Sequence, residues 1–325
     1  MSPSRAWPLY VSLVVASLLW GSLYPAAKPL VAATGPLQVT LIRAVLACLT
    51  LGLLVFLRQG IEPFVTQLRT RWRGILALAV LSFSGSTILA MIASNLLPAS
   101  VNGLLNNTHP LWIAAGTAVL YPPRRPALLI VGSLLALLGV ALVFFPDLSL
   151  ASLGGPGALN LAGVAVSLAG SGVIALSNVV GRRTMPGGEP LAILALASAA
   201  AIPPLVALTL VEGGFAPIFN ATFDVKALLL YVGIGCTAIN FSLWYSALKH
   251  LRAAQAAPFQ YLIPPTGVVI SAVLLHEPIT AGLAIGGVLI LAGLVVTQFA
   301  TAPKEAATPL PVPDLVAGDV TVADG

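Results

Sequence analysis

Hydrophobic stretches occupy most of this chain, and short polar segments interrupt them at regular intervals. Ten such stretches can be read along the sequence, each of roughly 17–25 residues, the length that spans a bilayer as a helix. They are too long and too continuously apolar for barrel strands, and backbone groups in lipid must pair internally. We therefore predict an all-α membrane protein with ten transmembrane helices near residues 9–31, 36–57, 74–96, 99–120, 127–146, 159–181, 190–211, 227–248, 254–275 and 279–299.

Composition supports a membrane location. Hydrophobic residues make up 58% of the chain and charged residues 8%, against about 25% charged residues in soluble proteins. The first stretch is interpreted as a retained helix rather than a signal peptide, because only Arg5 precedes it and Trp20 and Tyr24 lie within it. Cys48 and Cys236 lie in separate predicted helices, without disulfide or metal-ligand spacing. We expect no metal and no cofactor.

The basic residues concentrate in alternate connections between the predicted helices. Connections 58–73, 121–126, 182–189 and 249–253 carry almost all of the loop arginines and lysines, whereas the opposite connections carry only Lys226. Such a bias orients membrane proteins with the basic loops inside. Both termini are thus predicted to be cytoplasmic. We expect the protein to lie in a bacterial inner (plasma) membrane. The net charge of +5 reflects this topology and not nucleic-acid binding.

The chain repeats itself at one offset of 154 residues. This shift places Pro110 on Pro264, and it places the glycine pair Gly132/Gly139 on the pair Gly286/Gly293. Five helices is an odd number, so the second copy would enter the membrane from the opposite side. Inverted repeats of this kind are typical of secondary transporters. The paired glycines predict close packing of the fifth helix in each half.

The repeat divides the chain into predicted segments. We expect a cytoplasmic N-terminus over 1–8, a first five-helix repeat over 9–146 and a second over 159–300. Residues 301–325 contain prolines, lack periodicity and are predicted to form a disordered cytoplasmic tail.

Three stretches carry a family resemblance: LLWGSLYPAAKPL (18–30), ALKHLRAAQAAPFQYLIPP (247–265) and HEPITAGLAIGGVLILAG (276–293). They resemble signatures of the drug/metabolite transporter superfamily, EamA-type branch. The resemblance implies ten helices in two five-helix halves and export of small metabolites, amino acids among them. The first half has YPPRRP (121–126) where the family's Glu-Pro pair is expected. This departure favours a turn role for that motif.

A polar stripe interrupts the fourth predicted helix, where residues 102–112 read NGLLNNTHPLW. Asn102, Asn106 and His109 share one helical face, and Pro110 removes a backbone hydrogen bond near residue 106. Such a face is costly in lipid and must meet protein or a water-filled cavity. Two interpretations stay open: the asparagines line a substrate cavity, or they bond helices together at less than ~1 kcal/mol per bond.

The equivalent ninth helix also places polar and aromatic groups just before a proline pair, Pro264 and Pro265. Related helices meeting across a pseudo-twofold axis would bring both sets around one space. Tryptophans also mark membrane interfaces, so an interfacial role stays open for those in the set. The candidate lining residues are Trp20, Tyr24, Ser82, Ser86, Asn102, Asn106, His109, Trp112, Asn178, Asn240, Trp244, Phe259, Gln260 and Tyr261. Pro110, Pro264 and Pro265 are candidate hinges.

Two cations, Lys28 and Arg43, lie within apolar stretches and are candidate functional groups. The alternative is a structural role, such as binding the carbonyl ends of helices. Every acidic residue falls in a loop, at a helix boundary or in a tail, so no carboxylate is placed to carry protons through the membrane. Transport is thus expected to be uncoupled, or weakly coupled through His109.

These features predict a secondary transporter and not an enzyme. It would move small zwitterionic metabolites, including aromatic and large neutral amino acids, by alternating access through a midplane cavity. The alternatives are another small polar metabolite or drug and, more remotely, a membrane-embedded enzyme, for which the sequence supplies no acid–base pair. The expected partners are the substrate and the lipid bilayer, with no nucleic acid and a functional monomer.

Overall fold

The computed structural model describes residues 3–120, 125–143, 160–251 and 253–301, and every regular element in these ranges is a helix. The all-α prediction is therefore confirmed. The predicted disordered tail lies outside the described residues, apart from residue 301.

The helices divide between the two predicted repeats. In the first they are α1 (Pro3–Gly21), α2 (Leu23–Thr34), α3 (Pro36–Gln59), α4 (Glu62–Leu78), a π-helical segment (Ala79–Ser86), α5 (Thr87–Leu96), α6 (Ala99–Asn106), α7 (His109–Leu120) and α8 (Pro126–Val143). In the second they are α9 (Leu161–Thr184), α10 (Pro190–Val211), α11 (Ala216–Phe219), α12 (Phe223–Leu230), a second π-helical segment (Tyr231–Ile239), α13 (Asn240–Leu248), α14 (Ala253–Ala256), a 3₁₀ segment (Ala257–Leu262), α15 (Ile263–Leu274) and α16 (Ala281–Thr301).

Eight helices in the described ranges are long and apolar enough to cross a membrane. They are Trp7–Thr34, Pro36–Gln59, Glu62–Leu96, Pro126–Val143, Leu161–Thr184, Pro190–Val211, Phe223–Leu248 and Ala281–Phe299. The predicted fourth and ninth spans are each interrupted, so the count of ten stays a prediction. The predicted connection over 58–73 is corrected: the helix begins at Glu62, because an amphipathic arginine-rich segment is already helical and joins the apolar span at a kink at Arg71.

Both interrupted spans break at equivalent places. Helix α6 ends at Asn106, and α7 restarts one residue before Pro110, which has no N–H to continue the ladder. The side chains of Asn107 and Thr108 instead donate to the Gly103 and Leu105 carbonyls at 2.7 Å. Helix α15 likewise starts one residue before its first proline, and α7 and α15 begin and end at positions related by the offset of the sequence repeat.

The two π-helical segments occupy nearly equivalent positions in the third helix of each half. At the end of the first segment and within the second, a threonine hydroxyl donates to the carbonyl five residues earlier at 2.9 Å: Thr87, the first residue of α5, to Ser82, and Thr237 to Val232. Segments of this type often mark functional sites. The hydrophobic pattern did not predict them.

The glycine pairs bring α8 and α16 into close contact, as their spacing predicted. A Cβ atom on Gly132 would lie 2.8 Å from the Gly293 carbonyl oxygen. One on Gly139 would lie 2.5 Å from the Gly286 carbonyl oxygen. The helices are therefore antiparallel, with each glycine of one pair facing a glycine of the other.

Candidate functional site

A cavity of about 40 Å³ lies where α3 meets both π-helical segments. Its walls combine hydroxyl groups, aromatic rings and one guanidinium group. The lining residues are Thr40, Arg43, Ala44, Ser82, Phe83, Thr87, Thr237 and Phe241.

Arg43 supplies the charge of this cavity. Its Nε and Nη2 groups both donate to the Thr237 hydroxyl at 3.3 Å. The one ion pair in the described part of the chain joins Lys249 and Glu189, so the Arg43 guanidinium has no carboxylate partner there. A guanidinium carries five N–H donors in a fork that matches a carboxylate. The site can therefore accept an anionic group from a ligand.

Aromatic rings extend one wall of the cavity. Phe83 and Phe241 line it, with ring centroids 6.3 Å apart. Phe241 contacts Trp20 edge-on at 5.9 Å, and Trp20 lies 5.4 Å from Trp244. The candidates Trp20 and Trp244 thus come together and reach the cavity through Phe241. Ser82 lines it directly, and its carbonyl accepts the Ser86 hydroxyl at 2.8 Å.

Asn102 bonds helices together and is not exposed to the cavity. Its amide nitrogen donates to the Ala90 carbonyl at 3.0 Å and to the Ser94 hydroxyl at 2.8 Å. Its amide oxygen accepts from Ser167 on α9 at 2.7 Å. This is the arrangement of the helix-bonding alternative, and Thr108 adds a second contact of the same kind, 3.0 Å from the Ser171 hydroxyl.

Two other candidate asparagines are buried with unsatisfied amides. Neither the amide oxygen nor the amide nitrogen of Asn106 or Asn240 has a hydrogen-bond partner among the described residues. Asn106 lies against Gly170 of α9, and its backbone carbonyl is 3.4 Å from Nδ1 of His109. Unpaired buried amides cost free energy, so they are natural points for a ligand or water to bind.

The remaining candidates are scattered over the bundle. Tyr24 is buried against Gly103, and Phe259 stacks on Tyr10 at 5.9 Å. The Tyr261 hydroxyl donates to the Leu294 carbonyl at 3.5 Å.

Three further candidates do not line the Arg43 cavity. Gln260 is half-buried, Asn178 is exposed, and Trp112 is 48% exposed. The sequence pattern therefore predicted a wider set than the structure brings together.

Lys28 binds the carbonyl end of a helix in this conformation. Its Nζ donates to the Leu97 carbonyl at 2.6 Å, at the end of α5. Beside it, Glu277 accepts hydrogen bonds from the N–H groups of Ala99 and Ser100 at 2.6 and 2.9 Å, and from the Ser100 hydroxyl at 2.6 Å. Glu277 thereby caps α6 from the turn between α15 and α16, where His276 adopts a positive φ of 54°.

Sequence reasoning placed Ser82 among the candidate lining residues but missed the other residues that surround Arg43. Thr40 was the easiest of them to predict, because it lies one helical turn before Arg43 on the same face of α3. Thr87, Thr237, Phe83 and Phe241 lie in or just after the π-helical segments, and no sequence signal placed them beside Arg43.

Comparison with known proteins matches the chain to one protein family. The EamA-like transporter family matches it twice, over residues 7–145 and 161–299. A crystal structure of another protein superposes with a TM-score of 0.62 at 22% identity, covering 92% of this chain and 98% of the other, which shows the fold.

Curated relatives carry transporter names. An uncharacterized transporter of Bacillus subtilis, YvbV, is 23% identical over 89% of this chain and 91% of its own. A protein of Salmonella typhimurium named "Probable amino-acid metabolite efflux pump" is 27% identical over 62% of this chain and 68% of its own. A protein of Escherichia coli with the same name is 28% identical over 50% of this chain and 57% of its own.

Proposed function

The chain belongs to the EamA-like transporter family, and we propose that it moves small zwitterionic metabolites, amino acids among them, by alternating access through the Arg43 cavity. It is an integral membrane transporter of the drug/metabolite type, and its bacterial relatives indicate the inner membrane. The relatives named as amino-acid metabolite efflux pumps support the choice of substrate class.

The observation that carries the proposal is a buried guanidinium without a carboxylate partner. A cation held within a membrane span is costly, and such residues mark substrate pathways. The carboxylate of an amino acid would pair with Arg43 in a bidentate contact. The hydroxyl groups of Thr40, Thr87 and Thr237 and the ring faces of Phe83 and Phe241 suit the ammonium group and an aromatic or large neutral side chain.

In this conformation the cavity is too small for such a substrate. Its volume of about 40 Å³ is far below the roughly 300–1,000 Å³ of pockets that bind small molecules. Substrate entry therefore requires the surrounding helices to move. The breaks before Pro110 and before Pro264–Pro265, together with the π-helical segments, are the points where the helices would bend.

We propose that flux follows the substrate gradient. In the described spans, acidic residues occur only in first turns, at Glu62 and Asp224. Chains of intramembrane carboxylates, which proton pumps use, are not found in these helices. His109 is left as the one group that could carry weak coupling. Flux into proteoliposomes should change little with an imposed pH gradient, and a strong acceleration that survives His109→Ala would contradict this.

A ligand screen tests the proposed site. Thermal unfolding of the purified protein is measured with each of the twenty amino acids, because a ligand at 100 times its Kd stabilises the folded state by about 2.7 kcal/mol. We expect a subset of neutral and aromatic amino acids to raise the melting temperature. Arg43→Gln should reduce the shift to about half or less, since losing a charged hydrogen-bond partner costs about 1.5–3 kcal/mol.

Arg58→Gln is the matched control, because Arg58 lies in the last turn of the same helix and is exposed. It should keep the full ligand shift. Equal shifts in Arg43→Gln and Arg58→Gln would contradict the proposed site, and no shift with any amino acid would contradict the substrate class.

A further inference from the structure

Helix α4 begins as an amphipathic helix at one end of the bundle. Ile61, Val65, Leu68 and Trp72 fall on one stripe and are 62%, 41%, 52% and 48% exposed. A stripe of this kind with a tryptophan at its end is typical of a helix lying in the membrane interface. This is the end that the distribution of basic residues predicts to be cytoplasmic.

A kink at Arg71 separates the amphipathic start of this helix from its apolar part. The residue has non-helical backbone angles, φ −132° and ψ 17°. Its Nη1 donates to the Thr184 carbonyl at the end of α9 at 2.9 Å, while its Nε is buried with no hydrogen-bond partner among the described residues. The kink thus holds a guanidinium between the two halves of the protein with unused donor capacity.

A basic pocket of about 370 Å³ opens beside this kink. Four arginines contribute to it, and the described lining contains no carboxylate. The lining residues are Arg69, Thr70, Arg71, Trp72, Arg73, Gly74, Arg183 and Thr184. The Arg73 guanidinium lies 5.3 Å from the centroid of the Trp72 ring. Glu189, a few residues beyond Thr184, is paired with Lys249 at 3.0 Å and so is engaged elsewhere.

We propose that this pocket binds a phosphate group, presented at the membrane surface by the headgroup of an anionic phospholipid. Several guanidinium groups converge there without an acidic partner, and guanidinium forks match phosphate oxygens in bidentate contacts. The apolar stripe of α4 places the pocket at headgroup level, where basic pockets between helices recruit anionic lipids. The pocket shares no lining residue with the Arg43 cavity.

The bound phosphate would join the two halves of the protein. Arg69 and Arg73 belong to α4 in the first half, whereas Arg183 belongs to α9 in the second. The direct links between these helices include the Arg71–Thr184 hydrogen bond and the contact of Thr184 with Gly74. A phosphate bridging Arg183 to α4 strengthens this link, so the lipid stabilises the assembled bundle.

Binding is measured on the full-length protein, stripped of lipid in an uncharged detergent. Its melting temperature is titrated with dihexanoyl phosphatidylglycerol, with the matched phosphatidylcholine, and with inorganic phosphate at constant ionic strength. We expect saturable stabilisation by phosphatidylglycerol at a Kd at least tenfold below that for phosphatidylcholine. Inorganic phosphate should compete weakly. If inorganic phosphate binds as tightly as the lipid, the pocket is a phosphate site whose ligand is the free anion and not a lipid headgroup.

Two adjacent arginines provide the matched variants. Arg183 lines the pocket, whereas its exposed neighbour Arg182 does not. Arg183→Gln should raise the Kd for phosphatidylglycerol about fivefold, the effect of one basic residue at an anionic surface, and Arg182→Gln should leave it within about twofold. Arg73→Gln repeats the test at α4 if Arg183→Gln unfolds. Equal affinity for both lipids, or equal effects of pocket and control variants, would overturn the proposal.

Discussion

Two asparagines one turn apart on α6 differ in how their amides are satisfied. Asn102 is fully buried and bonded to Ala90, Ser94 and Ser167. Asn106 is equally buried, yet neither amide atom has a partner among the described residues. An apolar replacement of similar size should therefore affect the two positions differently.

Asn102→Leu should lower the free energy of unfolding by about 1–3 kcal/mol, because it strands the Ser167 hydroxyl and removes an interhelical contact. Asn106→Leu should change it by less than about 0.5 kcal/mol, or raise it, because it removes two unpaired polar groups. Melting temperatures of both variants in one detergent make the comparison. Equal losses would contradict the assigned roles.

Individual residues were only partly predictable from sequence. Arg43 stood out because an ionisable group in an apolar stretch is rare, and its place in a cavity agrees with that signal. Its hydrogen-bond partner Thr237 is 194 residues away and had no sequence signal. For Asn102 and Asn106 the periodicity gave the shared helix face but not which amide would find partners, since that depends on the neighbouring helices.

At the scale of elements, the packing of α8 against α16 depends on glycines. A Cβ atom on Gly139 would approach the Gly286 carbonyl oxygen to 2.5 Å, and the neighbour is backbone that cannot rotate away. Gly52 on α3 has nothing within 4 Å of the corresponding position.

Gly139→Ala should destabilise the protein by about 1–3 kcal/mol, the cost of overpacking, whereas Gly52→Ala should be neutral or stabilise it by up to about 1 kcal/mol, because alanine has the higher helix propensity. The measurement is again the melting temperature, with the fraction of monodisperse protein after purification as a second readout. If both variants melt alike, the close contact between α8 and α16 does not contribute to stability.

Hydropathy predicted the positions of the helices better than the places where the backbone changes from α-helix to π-helix. The spans over 36–57 and 190–211 agree closely with α3 and α10. The sequence pattern did not predict the π-helical segments, because the hydrophobicity of a membrane span does not depend on which helical period the backbone follows. The start of α4 was also missed, because its charges resemble those of a loop although its apolar stripe is helical.

At the scale of the whole molecule, pairs of related elements meet across the bundle. The glycines of α8 face those of α16, and both interrupted spans restart just before a proline. The Arg43 cavity lies where both π-helical segments converge, so a movement of one half against the other would reshape it. Lys28 and Glu277 both lie near the start of α6. For that end of the bundle to open, Lys28 would have to release its carbonyl partner and Glu277 its N–H partners.

Counterflow in proteoliposomes measures exchange of substrate through the Arg43 cavity. Vesicles containing the protein are loaded with an unlabelled amino acid from the ligand screen, and uptake of the same labelled compound is followed at equal pH. We expect transient accumulation of label with the native protein and with Arg58→Gln, and a loss of at least about tenfold with Arg43→Gln. Absence of counterflow with every amino acid, or full counterflow in Arg43→Gln, would contradict the account.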